Sequence, residues 1–118
     1  MEAIFITITG TNFYYGLKPF NVGSIVKLEK EKTNEFDSEA IQVKMPYIDA
    51  VGYVANSPNT TFKGTYSAGR IYDRMGDFAY ARIMFVTHSS AIALVLSEEV
   101  NGACEKMFSE GSSNSFIL

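Results

Sequence analysis

The chain of 118 residues is poor in the residues that build disulfides and metal centres, with one cysteine and one histidine. The single cysteine, Cys104, excludes an internal disulfide and a cysteine-rich zinc site. No apolar run approaches the roughly 20 residues that a transmembrane helix needs. The N-terminal sequence MEAIFITITG lacks the basic region of a secretory signal. We therefore expect a cytoplasmic single-domain protein without a membrane anchor.

Positive charge is also scarce. The net charge is −3, which argues against a protein that grips a long stretch of nucleic-acid backbone. The net negative charge comes from residues 91–118, because residues 1–90 hold nine acidic and nine basic side chains. A protein that recognises only the end of a strand needs less positive charge than one that binds a long stretch of backbone. A local basic face is still available from Lys27, Lys30, Lys32 and Arg70.

Short runs of alternating apolar and polar residues predict six β-strands. They cover residues 4–9, 22–29, 40–45, 50–54, 78–86 and 91–96. On the fifth strand, Phe85 is expected to share an apolar face with Ala79, Ala81 and Ile83. Pro46 ends the third strand, and a hairpin should join the third strand to the fourth. The sixth strand is almost wholly apolar and is expected to be central. Six short strands favour a mainly β fold, a small closed or partly open barrel.

Two short helices are predicted beside the strands. Ser67 should cap a helix over 68–75 that Gly76 ends. Ser97 should cap a C-terminal helix over 98–110 that Gly111 ends. An apolar stripe on that helix comprises Val100, Ala103, Cys104, Met107 and Phe108. The whole chain, 1–118, then forms one domain with a core over about 3–96 and a flexible tail over 111–118.

Two loops place aromatic rings where loop residues are usually polar. The first holds Phe13, Tyr14 and Tyr15 between Gly10 and Gly16. Successive side chains on an extended chain point to opposite faces, so at least one ring must be exposed. Two of the rings could pack on the core, or the loop could be a stacking platform whose glycines let a ligand approach the backbone.

The second such loop is a charged turn containing Asn34, Phe36 and Asp37. Asparagine and aspartate side chains often bond to nearby backbone. The two polar residues could therefore simply cap the turn while Phe36 covers the barrel, and the residues alone favour this interpretation. In the other interpretation, Phe36 is free to stack on a ligand.

The turn and its neighbouring strands carry the motif N-x-F-D-x-x-A-I-x-V, followed by G-Y-V. The matching residues are Asn34, Phe36, Asp37, Ala40, Ile41, Val43, Gly52, Tyr53 and Val54. Together with the glycine-flanked aromatic loop, this pattern resembles the HIRAN domain family. That module precedes DNA-repair ATPases such as helicase-like transcription factor and also occurs as a free-standing bacterial protein. The resemblance covers about residues 3–96 and implies a modified OB-like barrel.

The resemblance also implies a non-enzymatic module that binds the end of single-stranded DNA. In the family, the aromatic residue and the aspartate of the motif contact the terminal nucleotide, and the aspartate accepts a hydrogen bond from the free 3'-hydroxyl. A carboxylate would repel a phosphate in that place. Expected DNA contacts are Asn12, Phe13, Tyr14, Asn34, Phe36, Asp37, Tyr53, Asn56 and Arg70. No cofactor or metal is expected, and no Walker sequence accompanies the motif.

The chain departs from the family pattern at positions that would contact phosphate. Asn12 stands where DNA-binding relatives have an arginine, and Phe13 and Phe36 replace tyrosines. Asn56 follows the G-Y-V strand where relatives have basic residues. Arg70 is the best substitute for the missing arginine, unless it pairs with Asp73 or Asp77, the alternative that the residues favour.

Two other hypotheses stay open, the first of which these departures support. One is a protein-interaction or regulatory barrel that has lost DNA binding and forms a homodimer or binds a protein partner. The other, which the residues favour least, is a metal-dependent hydrolase built on His88 and the carboxylates. The acidic residues show no metal-binding spacing, which counts against it.

Overall fold

Six antiparallel strands close into a barrel in the computed structural model, which describes residues 2–109. The strands are β1 (Phe5–Thr9), β2 (Ile25–Lys30), β3 (Ile41–Met45), β4 (Asp49–Val54), β5 (Phe78–Val86) and β6 (Ala91–Val95). Their order around the barrel is β1, β4, β3, β2, β5, β6, and β6 pairs again with β1. The mainly β barrel with two short helices is therefore confirmed. Because the barrel is closed, β6 is no more central than the other strands.

The alternation in the sequence places one face of each strand in the barrel core. On β3, Ile41, Val43 and Met45 are buried while Gln42 and Lys44 are partly exposed. The β3–β4 hairpin forms as predicted. The predicted start of the second strand at residue 22 is wrong, because Gly23 adopts a φ of 96° and turns the chain before β2. Val22 is consequently 67% exposed.

The predicted alternation also fails at the end of β5. Phe85 does not share the buried face of Ala79, Ala81 and Ile83, and it is 58% exposed. The cause is a β-bulge: Ile83 pairs with Ala93, but Phe85 pairs with the adjacent Ile92. One extra residue on a strand turns the following side chain to the opposite face.

The two helices are shorter than predicted or begin differently. Helix α1 (Ala68–Tyr72) ends three residues before the predicted 75, and the Ser67 side chain makes no cap bond. A 3₁₀ turn at Glu98–Val100, capped by Ser97, precedes helix α2 (Asn101–Ser109). The predicted helix end and the tail over 111–118 lie outside the described residues. Within residues 2–109, no helix has the length and apolarity to cross a bilayer.

The apolar stripe of the last helix is only partly buried. Cys104 is buried, and burial raises the pKa of its thiol. The Phe108 ring packs edge-on against Tyr80 at 5.4 Å between centroids. Ala103 and Val100 face solvent instead. The stripe therefore docks this helix onto the barrel through its C-terminal half.

Strand pairing brings the end of β1, the end of β4 and the start of β3 together. Tyr53 on β4 pairs with Thr9 on β1 and with Gln42 on β3. The loop after β1, the turn before β3 and the loop after β4 therefore open at one end of the barrel. These are the three segments that carry most of the candidate site residues.

Candidate nucleic-acid interface

Asn34 holds the turn between β2 and β3 in shape. Its Oδ1 accepts hydrogen bonds from the backbone N–H groups of Phe36 and Asp37, both at 2.8 Å. Its Nδ2 donates to Glu31 Oε1 at 2.9 Å. Because the acceptor and one amide hydrogen are used within the protein, Asn34 positions its neighbours rather than offering its oxygen to a ligand.

Phe36 projects from this turn into solvent and is 96% exposed. The interpretation of Phe36 as a lid on the barrel is therefore wrong. Burying a phenylalanine side chain would contribute about 1.5 to 3 kcal/mol to folding, and Phe36 contributes almost none of this. The side chain therefore adds little to the stability of the folded chain, and its exposed ring is available for contact with a ligand.

Replacing Asn34 by alanine should destabilise the fold as well as the site. The change removes two bonds to backbone N–H groups and one to Glu31. We expect the free energy of unfolding to fall by about 1 to 2 kcal/mol, measured by urea denaturation. Asn59→Ala is the matched control, since Asn59 is an exposed loop residue. An equal, near-zero effect of both substitutions would contradict the role given to Asn34.

Asp37 is tied to the loop after β4 by Asn56. Asp37 Oδ1 accepts the N–H of Glu39 at 2.9 Å, and Oδ2 lies 3.4 Å from Asn56 Nδ2. Asn56 Nδ2 also donates to Glu39 Oε1 at 3.2 Å, and its Oδ1 accepts the Gly69 N–H at 2.8 Å. Asn56 thus joins the turn to the start of α1, and it acts in the described chain as a bridge between segments.

Tyr53 lies at the centre of a second hydrogen-bond network. Its hydroxyl donates to Glu31 Oε1 at 2.6 Å and accepts from Gln42 Nε2 at 3.2 Å. Burial, followed by the bond to the Glu31 carboxylate and one with Tyr14, raises the pKa of Tyr53 well above its usual value. The phenol therefore stays a neutral donor, and its ring is fixed beside Asn34 through the shared partner Glu31.

The first loop exposes all three of its aromatic rings to some degree. It begins at Gly10, whose φ is 72°, and continues into a 3₁₀ turn at Thr11–Phe13. Phe13 is 88% exposed, and Asn12 also faces solvent. The Tyr14 ring is tilted against Tyr53 with 6.5 Å between centroids. Of the two interpretations of this loop, exposure favours the stacking platform.

A surface cleft of about 470 Å³ brings together five of the nine expected DNA contacts. These are Asn34, Phe36, Asp37, Tyr53 and Asn56. We refer to this opening as the Asp37 cleft. Tyr14 borders it through Tyr53, whereas Asn12 and Phe13 do not line it. The sequence motif and the pairing of β3 with β4 bring four of these residues together, and Asn56 joins them from the loop after β4.

Arg70 lines a different, adjoining opening of about 440 Å³, which we call the Arg70 cleft. Its guanidinium lies 4.1 Å from the centroid of the Tyr66 ring. The pairing of Arg70 with Asp73 or Asp77 is not formed among the described residues, and Asp77 pairs with Lys32 at 2.7 Å. Arg70 therefore keeps its hydrogen-bond donors available for a ligand in this second cleft.

The lysines of the predicted basic face already have intramolecular partners. Lys27 lies over the Phe78 ring, Lys30 over the Tyr72 ring, and Lys32 pairs with Asp77. None of the three lines either cleft. The prediction that they join Arg70 in one basic face is not supported by this arrangement.

Glu31, Glu39 and Lys63 belong to the surroundings of the site but were not predicted. Glu31 connects Asn34 to Tyr53, Glu39 shares Asn56 with Asp37, and Lys63 lines the Arg70 cleft. Glu31 could have been suspected from its i, i+3 spacing to Asn34, but the other two lie in loops without any periodic signal. Among residues 2–109, no three His, Cys, Asp or Glu side chains are grouped to hold a metal ion.

Comparisons with known proteins agree with the family resemblance and the barrel fold. The family model described as the HIRAN domain matches residues 1–102. The crystal structure of the HIRAN domain of human HLTF is similar in fold, with a TM-score of 0.57 over 92% of this chain and 88% of that chain, at 16% sequence identity. No curated protein sequence matches the chain. The barrel is thus of the OB-like type that the motif implied, and the chain belongs to the HIRAN domain family.

Proposed function

We propose that this barrel binds single-stranded DNA at its 3' end without catalysing a reaction. The observation that supports this most strongly is the pairing of an almost fully exposed ring, Phe36, with the carboxylate of Asp37 on one rigid turn. The terminal base stacks on Phe36, and the 3'-hydroxyl donates a hydrogen bond to Asp37. Membership of the HIRAN family adds to the same conclusion.

The Asp37 carboxylate has capacity for such a bond. Within residues 2–109, its Oδ1 receives one short bond, from the Glu39 N–H, and its Oδ2 has only the long contact of 3.4 Å with Asn56. An ionised carboxylate offers about four lone-pair positions, so a hydroxyl donor can be added without displacing either partner. A terminal phosphate would instead be repelled by about 1 to 4 kcal/mol at 4 Å.

The charged side chains around the two clefts support an orientation of the strand in which its 3' end lies in the Asp37 cleft. Of the described residues, Asp37 is the one charged residue that lines the Asp37 cleft, and Glu39, which shares Asn56 with Asp37, adds a second carboxylate near it. Arg70 and Lys63 line the adjoining cleft, where a backbone phosphate would be attracted. The end of the strand that lacks a phosphate therefore fits the Asp37 cleft, and the phosphodiester that follows it fits beside Arg70.

The proposal is tested by comparing a labelled single strand with a blunt duplex of the same sequence, using fluorescence anisotropy at low salt. The duplex should bind at least about tenfold more weakly, because its terminal base is paired and unpairing costs a few kcal/mol. Equal binding of the two would indicate only attraction to the backbone, and no binding of either would refute the proposal.

A protein-binding role is the second candidate, and one observation favours it. A groove of about 570 Å³, lined by Ile25, Met45, Ile48 and Met107, opens at the opposite end of β2 and β3 from the Phe36 turn. Light scattering tests the homodimer form of this second candidate. A mass of one chain at high protein concentration, with DNA binding intact, would count against a homodimer formed through this groove.

A further inference from the structure

We infer that the bound strand continues from the Asp37 cleft through the Arg70 cleft to a second stacking site formed by Phe62 and Phe85. This inference rests on the proposed function and extends it by giving the strand a path, a direction and a minimum length. The ligand at the new site is an upstream segment of the same single-stranded DNA.

Three openings on this side of the barrel are joined by shared residues. The Asp37 cleft and the Arg70 cleft share Asn56 and Ser57. The Arg70 cleft in turn shares Phe62 and Lys63 with an opening of about 280 Å³, which Phe85 also lines. We call this last opening the Phe85 cleft. The three openings therefore follow one another along this side of the barrel, and we refer to them together as the groove.

The segment that joins the last two clefts is held firmly to the barrel. Residues Phe62 to Thr65 form a tight turn in which the Thr65 N–H donates to the Phe62 carbonyl at 3.0 Å. Gly64 has a φ of 92° at the third position, which a type II turn requires. Buried Thr7 on β1 anchors the turn, since its Oγ1 accepts the Phe62 N–H at 3.1 Å and lies 2.8 Å from Thr65 Oγ1.

The bulge in β5 and the anchored turn hold the two rings of the Phe85 cleft at the surface, where a base can stack on them. The bulge in β5 turns Phe85 outward, where 58% of it is exposed. Phe62, at the start of the anchored turn, is 40% exposed. Bulges often redirect a side chain next to a functional site, and exposed rings beside cations are the arrangement on which successive bases stack.

The groove is negatively charged where the 3'-hydroxyl would lie and positively charged where the phosphates would lie. The first cleft has the carboxylate of Asp37, whereas the middle cleft has Lys63 at the second position of the tight turn and Arg70 beside it. Lys63 forms no ion pair within residues 2–109. Phosphates would therefore lie over Lys63 and Arg70, with the 3' end at Asp37 and the 5' direction towards Phe85.

The test compares strands that differ only in length and end in a free 3'-hydroxyl. OB-type folds bind roughly 4 to 16 nucleotides, so strands of about 3 and about 10 nucleotides separate the first cleft from the whole groove. The longer strand should bind at least about tenfold more tightly. Phe85→Ala should weaken the longer strand by at least about fivefold with a much smaller effect on the shorter one.

Control variants make each outcome decisive. Val86→Ala truncates the adjacent exposed side chain, which lines none of the three clefts, and should leave both affinities unchanged. Equal affinity for the two lengths, with Phe85→Ala affecting neither while Phe36→Ala weakens both, would overturn the extended groove and leave the proposed function intact. If Phe36→Ala also has no effect on either strand, the proposed function itself fails. Circular dichroism confirms that each variant is folded.

Discussion

Replacing Phe36 by alanine should weaken binding of a single-stranded DNA end by about 5- to 150-fold, because stacking of one base on an aromatic ring contributes about 1 to 3 kcal/mol. The substitution should leave the free energy of unfolding unchanged within about 0.5 kcal/mol, since the side chain is almost fully exposed. Anisotropy titration gives the first quantity and urea denaturation the second. A large loss of affinity without loss of stability identifies a residue that serves the ligand.

Two further substitutions at this position separate stacking from simple apolar contact. Phe36→Tyr keeps the ring and should bind as well as the original protein. Phe36→Leu keeps apolar volume but loses the flat π surface, so it should resemble Phe36→Ala. Val22→Ala, a truncation of an exposed apolar residue that precedes β2, is the control. Full affinity of both Phe36→Leu and Phe36→Ala would show that the terminal base does not stack on this ring.

Replacing Gly52 by alanine should produce the largest loss of stability among single methyl additions in the described glycines. A Cβ at this position would lie 2.8 Å from the Thr9 carbonyl oxygen and 3.1 Å from Ile8 Cγ2. Both contacts are on β1, and β1 pairs with β4 through only two residue pairs, Ile8 with Val54 and Thr9 with Tyr53. Relieving the clash therefore requires β1 and β4 to move apart, which weakens their pairing. We expect the melting temperature to fall by roughly 5 to 15 °C.

Gly76→Ala is the matched control for Gly52→Ala. Nothing lies within 4 Å of a Cβ built at Gly76, and its φ is not in the left-handed region. This substitution should be neutral or slightly stabilising, because it restricts the unfolded chain. Gly52→Ala should also weaken DNA binding, since the Thr9–Tyr53 pair positions Tyr53. Equal melting temperatures for the two variants would contradict the close approach of β1 to β4.

The sequence predicted the barrel because each strand has a buried face and a polar face. Ile41, Val43 and Met45 show this pattern within five residues, and the motif at Asn34 identified the family from neighbouring positions in the chain. Strand ends were less predictable. The turn at Gly23 and the bulge before Phe85 depend on backbone conformation and strand register, which do not appear in apolar periodicity.

The candidate site was predicted where its residues are adjacent in the motif and missed where they come from distant loops. Phe36 and Asp37 follow from the motif, and Tyr53 follows from the hairpin. The bridging role of Asn56 could not be predicted from the motif, because it depends on hydrogen bonds to Gly69 and Glu39, which lie 13 and 17 positions away in the chain. Residues such as Lys63 join the groove through an anchored turn, which only the three-dimensional contacts reveal.

The most direct test of 3'-end recognition compares binding of a strand with a free 3'-hydroxyl and of the same strand with a 3'-phosphate. Both strands are measured with the original protein and with Asp37→Asn. The original protein should prefer the hydroxyl end by at least about tenfold, because Asp37 accepts a bond from the hydroxyl and repels the phosphate. Asp37→Asn keeps an acceptor but loses the charge, so its two affinities should become nearly equal. Equal affinities in the original protein, or an unchanged preference in Asp37→Asn, would contradict the account.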